Sequence, residues 1–128
     1  MNDNLLEKFA ELFIKNVRDR AIEECDNNLV SNSPIAQRWN KSIQNGDIQE
    51  FARNVIADSV DISLFYALLS VDDEDFDIIF KINGVEYRLG EKFSGELGGY
   101  YAGLWVEKFS NQRFYNDLPS GEDLIDGI

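Results

Sequence analysis

Residues 76–89, "FDIIFKINGVEYRL", decide the fold class, because they carry the strongest strand signal in a chain whose other periodic stretches read as helix. Phe76, Ile78, Phe80 and Ile82 alternate with Asp77, Ile79 and Lys81, the period of two expected when one face of a strand is covered and the other is wet. Asn83-Gly84 follows. Both centres of a type I′ turn need positive φ, which these two residues tolerate, and Val85, Tyr87 and Leu89 continue as the returning strand. A lone hairpin is marginal in water, so its apolar face is expected to pack on helices or to pair with a third strand, including across a dimer.

The residues before the hairpin read as helices. From about Asn4 to Asp26, Leu5, Phe9, Leu12, Phe13, Val17, Ala21 and Cys25 share one helical face, and "DNNLVSNSP" places its end near Asn27. Ser33-Pro34 is a helix start, with serine free to cap and proline at a position that needs no amide. Ile35, Ala36, Trp39 and Ile43 are expected on its buried face, and Gly46 suits the left-handed residue after its end. Asp47 and Glu50 have capping-box spacing. Phe51, Ala52, Val55 and Ile56 read as the next buried stripe. Asp58 or Asp61 then caps a further helix with Val60, Leu64, Phe65, Leu68 and Leu69, unless one long helix runs from Asp47 to Ser70.

Between these helices and the hairpin lie Asp72, Asp73, Glu74, Asp75 and Asp77. Asp73, Asp75 and Asp77 have the alternate spacing of a calcium loop, but isoleucines 78 and 79 stand where that loop bends at glycine, and no bidentate glutamate closes it. No metal site is assigned. Close carboxylates raise one another's pKa only in a shielded cleft, so the acids read as a solvated junction or as a surface for a basic partner.

After the hairpin, Ser94 is a cap for a short helix through Leu97, Tyr101, Leu104 and Trp105, and Ser110 for another leading to Phe114. Gly95, Gly98, Gly99 and Gly103 lack the Lys-Ser/Thr of a phosphate loop, and Gly99 and Gly103, one turn apart, suit close backbone packing. Glu96, Tyr100, Tyr101 and Trp105 form a candidate pocket beside the hairpin. Residues 119–128 read as a loose acidic tail on a single domain spanning 1–128.

Composition removes several chemistries. The chain of 128 residues has no histidine and one cysteine, which leaves no imidazole base, no Cys-His nucleophile pair and no thiolate cluster. Twelve Lys and Arg against 24 Asp and Glu give a net charge of −12, which disfavours nucleic acid and anionic lipid and suits a basic protein. Neither a signal peptide nor an uninterrupted apolar run of about 18 residues is found, and the single Cys25 fits a reducing compartment, so a cytoplasmic location is expected.

"SGELGGYYAGLWVEKFSNQRFYND", together with the upstream "DISLFYALLSVDDE", resembles an uncharacterised family of small acidic bacterial proteins sometimes labelled epimerase. The likeness covers about residues 51 to 117 and rests on "GELGG", Trp105, "KFS" and "RF". It implies no catalytic residues, and sugar epimerisation finds no dinucleotide loop and no Tyr-x-x-x-Lys pair here. In size, acidity and its lone cysteine the chain is also similar to bacterial immunity proteins that neutralise a toxin.

The expected fold is therefore α+β, with N-terminal helices on a small antiparallel hairpin and short C-terminal helices. Its expected function is non-enzymatic binding of a basic protein, as an immunity protein does, through Asp72, Asp73, Glu74, Asp75 and Asp77. A small carboxylate-dependent enzyme using Glu96 with Tyr100 or Tyr101, and a homodimeric scaffold, are the alternatives. No cofactor is implied.

Overall fold

The computed structural model describes residues 2–93 and 95–115; Ser94 as a cap and the acidic tail lie outside them. In chain order the elements are α1 (Asn2–Phe13), a π-helical segment (Ile14–Asp19), α2 (Arg20–Val30), α3 (Pro34–Gln44), α4 (Ile48–Asp72), β1 (Ile79–Ile82), β2 (Val85–Arg88), α5 (Leu89–Phe93), α6 (Leu97–Tyr100), a second π-helical segment (Tyr101–Trp105) and α7 (Val106–Phe109). The fold is α+β. Phe13, Asp19 and Arg20 keep right-handed helical dihedrals, so α1, the π segment and α2 form one continuous rod. Tyr100, Trp105 and Val106 do the same for α6 to α7.

The first rod runs to Val30, past the expected end near Asn27. Asn28 is buried and its side-chain oxygen accepts the Ser33 hydroxyl at 2.6 Å, so a residue that favours turns is held in the helix by the next helix's cap. Ser33 caps α3 as the sequence indicates, accepting the Ala36 amide at 3.0 Å with Pro34 following. Gly46 closes α3 at φ +71°. Asp47 accepts the Glu50 amide at 3.0 Å, but its own amide goes to the Ser42 carbonyl, so only half of the capping box forms.

The central element is α4, a single helix of 25 residues. It does not break near Asp58 or Asp61, because both carboxylates bond to side chains of other elements. It packs on α2, α3, α6 and the first π segment. Its buried face is Asn54, Asp58, Ile62, Phe65, Tyr66 and Leu69. Of the expected stripe, Phe51 and Val55 are partly buried and pack against this core, Phe51 edge-on to Trp39, whereas Ala52 and Ile56 are exposed. Two polar residues can face inward because each finds a partner. Asn54 Nδ2 donates to Ser42 Oγ at 3.1 Å, and Asp58, 2% exposed, takes Arg38 Nη1 at 2.7 Å, Arg38 Nη2 at 3.2 Å and Trp39 Nε1 at 2.6 Å. Two residues along a helix amount to roughly 200° of rotation. The apolar series Ile56, Val60 and Leu64 therefore points away from this core, at 57%, 52% and 47% exposure.

The end of α4 is a Schellman motif. The Asp75 amide donates to the Ser70 carbonyl and the Glu74 amide to the Val71 carbonyl. The residue in between, usually glycine, is Glu74 at φ +64°. Left-handed φ strains a residue with a Cβ, so Glu74→Gly should raise stability by about 1 kcal/mol. Urea unfolding should show a higher midpoint at unchanged slope, and a lower midpoint would contradict this account.

The hairpin forms with the expected register, Phe80 opposite Tyr87 and Ile82 opposite Val85, and Asn83 and Gly84 sit at φ +52° and +81°. Its burial does not follow the alternation. Phe76 packs on Phe13 with ring centroids 6.0 Å apart, but every residue of β1 and β2 is exposed. The sheet has only these two strands among the described residues. Phe80 and Tyr87 stack on each other across the strands, with ring centroids 5.3 Å apart.

Candidate functional site

Three of the five junction acids serve the fold. Asp72, in the last turn of α4, accepts the Gly95 and Leu97 amides on Oδ1 at 2.8 and 2.9 Å and the Gly98 amide on Oδ2 at 2.9 Å. These amides open the C-terminal helix, so a carboxylate from another helix does the work of its N-cap. Glu96 occupies the cap position itself but makes no capping bond with its side chain. Asp77 Oδ1 accepts the Ile78 and Gly90 amides, both at 2.7 Å, and clasps the base of the hairpin. Asp75 Oδ2 accepts Asn16 Nδ2 at 3.1 Å. Asp73 and Glu74 are exposed and remain available at the surface.

The glycines divide differently from the expectation as well. A Cβ on Gly98 would lie 2.9 Å from the fully buried Phe65 ring, whereas Gly99 and Gly103 face open space. The close approach belongs to Gly98. Ser110 does not start a helix; its hydroxyl accepts the Gln112 amide at 3.0 Å and residues 110–115 run without helix.

Docking of the C-terminal helix on α4 creates a groove of about 570 Å³ lined by Ile56, Val60, Asp61, Tyr101, Trp105, Val106, Phe109 and Arg113. Of the four residues expected to form a pocket, Tyr101 and Trp105 line it. Glu96 and Tyr100 do not; they are exposed, with the Tyr100 hydroxyl donating to Glu96 Oε2 at 3.0 Å and the Tyr100 ring stacked on Trp105. Hydrogen bonding to the Glu96 carboxylate pushes the Tyr100 phenol up.

The acid of the groove is Asp61, a residue whose position in the sequence reads as a cap. Its Oδ1 accepts the Tyr101 hydroxyl at 2.7 Å. Burial raises the Asp61 pKa, the Tyr101 bond partly offsets this, and the nearby Asp58 charge adds to it. Burial and then the bond to Asp61 push Tyr101 well above the usual phenol range, so it stays a donor. No ion pair to Asp61 occurs among the described residues.

A second groove, about 590 Å³, lies between α4 and the first rod, lined by Phe13, Ile14, Ile22, Cys25, Ser59 and Leu64 among others. Cys25 is half-buried there; its thiol donates to Ser59 Oγ at 3.6 Å, and burial pushes its pKa up. It is held as a thiol and not as a nucleophilic thiolate. The two π-helical segments fall on the walls of the two grooves, Ile14–Asp19 on one and Tyr101–Trp105 on the other.

Glu24, like Asp61, has its pKa raised first by burial. The folded state then binds these protons more tightly than the unfolded chain. Their stabilising effect is complete below the ordinary carboxyl range and is lost as pH rises through the raised values. Thermal unfolding should therefore occur at higher temperature at about pH 5 than at about pH 7, and Asp61→Asn should reduce that rise. A melting temperature that is equal at the two pH values, or higher at pH 7, would contradict the assignment.

No family model, curated protein or solved structure matches the chain.

Proposed function

We propose that this chain is a non-enzymatic binding protein for a basic protein partner, in the manner of a bacterial immunity protein that neutralises a basic toxin. The observation that carries the reading is the outward face of α4. Ile56, Val60 and Leu64 are half exposed between two apolar grooves, while the same helix turns Asn54 and Asp58 into the core. An apolar ridge of this kind, with Phe13, Ile14, Ile22, Leu104 and Phe109 also open on neighbouring elements, is what a protein interface presents.

Charge supports a basic partner. At −12, the field of the chain speeds association with a cation-rich surface and disfavours acidic competitors. Asp73 and Glu74 remain exposed for that role, whereas Asp72, Asp75 and Asp77 act mainly within the fold. The test is affinity capture with wild-type protein and Val60→Asp, at low and high salt. The reading expects a basic protein retained at low salt, released by salt and lost with Val60→Asp. Absence of a partner at any salt, or equal capture by the variant, counts against it.

A further inference from the structure

We propose that the groove between α4 and the C-terminal helix holds the side chain of a lysine presented by the protein partner, an assignment that rests on the binding reading above. The geometry matches the two parts of that side chain. Ile56, Val60, Val106 and Phe109 provide apolar walls for a methylene stem, and Asp61 provides a carboxylate for the head. Asp61 Oδ1 already accepts from Tyr101, so Oδ2 is the oxygen left to accept, and what completes the site must be a donor.

Electrostatics select a cationic donor. Asp58, the nearest buried acid on the same helix, is neutralised by the Arg38 fork, whereas Asp61 is half-buried with no ion pair among the described residues. Burial raises its pKa, and an ammonium in the groove would reverse that shift. Trp105 adds an aromatic wall beside the incoming charge. Arg113 also lines the groove, but its Nε donates to the Arg53 carbonyl at 3.2 Å and is held by the backbone of α4. The second groove has a thiol and two serines in place of a half-buried acid, with Asp26 exposed at its edge.

NMR titration of the full chain with n-hexylammonium, a stand-in for a lysine side chain, tests the assignment, with n-hexanol, hexanoate and spermidine as comparisons. Hexylammonium should shift the Trp105 indole and the Asp61 and Tyr101 amides, and bind at least tenfold more tightly than hexanol or hexanoate. Asp61→Asn should lower its affinity at least tenfold. Arg113→Gln should tighten it by removing a like charge. Equal binding of hexanol, tighter binding of hexanoate, or full affinity in Asp61→Asn would overturn the proposal. Tighter binding of spermidine would also overturn it in favour of a free polyamine. If hexylammonium fails while salt-sensitive capture that depends on Val60 persists, the lysine site falls and the binding reading stands.

Discussion

Replacing Asp58 by alanine should destabilise the protein by about 3–5 kcal/mol, the cost of removing one member of a buried ion pair. The carboxylate is 2% exposed and the Arg38 side chain 19%, so the guanidinium left behind has little water to turn to. Trp39 Nε1, in a core residue that is 1% exposed, would lose its acceptor at the same time. Asp58→Asn should be milder, because its carbonyl oxygen still serves the indole while the charge is gone. Arg38→Ala leaves the opposite charge stranded, so the double variant should cost less than the sum of the singles. A double-mutant cycle read by urea unfolding should return a coupling on the order of 2 kcal/mol. Additive singles would show that the pair is spectator to the fold.

Asp72→Ala should act locally. It removes the acceptor of three backbone amides at the start of the C-terminal helix, charge-assisted bonds that together contribute on the order of 2–4 kcal/mol. The helix they anchor meets α4 where Gly98 lies close against Phe65 and where Tyr101 bonds to Asp61. The expected result is therefore opening of residues 97–109 ahead of global unfolding. Amide exchange at Leu97, Gly98 and Trp105 should accelerate by about thirtyfold or more, the equivalent of about 2 kcal/mol. Ile62 and Phe65 should stay protected, and Trp105 fluorescence should change while the buried Trp39 does not. Uniform acceleration through the core would mean that Asp72 supports the whole protein and not the groove alone.

The residues legible from sequence were those whose role is local. Ser33-Pro34, Gly46 and Asn83-Gly84 act on the backbone within a few positions, and each does so as its neighbours indicate. Asp58, Asp61 and Asp72 looked alike, as acids near helix ends. What separates them are partners 19 or 20, 40 and 23 to 26 residues away, for which a single sequence carries no periodic signal. The α4 stripe was half legible for a related reason: Phe51 and Val55 pack against the core, whereas Ala52 and Ile56 do not. Its helix has apolar residues on two faces, and only the Ser42, Arg38 and Trp39 partners of Asn54 and Asp58 decide which face turns inward. The hairpin's alternation likewise gives a register without saying whether anything covers it.

The π-helical segments carry an evolutionary consequence. Each has a wider turn than the flanking α-helix, the geometry a helix adopts when it absorbs one surplus residue. Removing one residue from either would restore the tighter turn and swing the chain on one side of it by roughly 100°. In the C-terminal rod that would re-aim Trp105, Val106 and Phe109 while Ile62 and Phe65 on α4 stay in place. Single-residue insertions and deletions at these two points thus offer a route by which descendants of this fold could change what their grooves accept without redesigning the core.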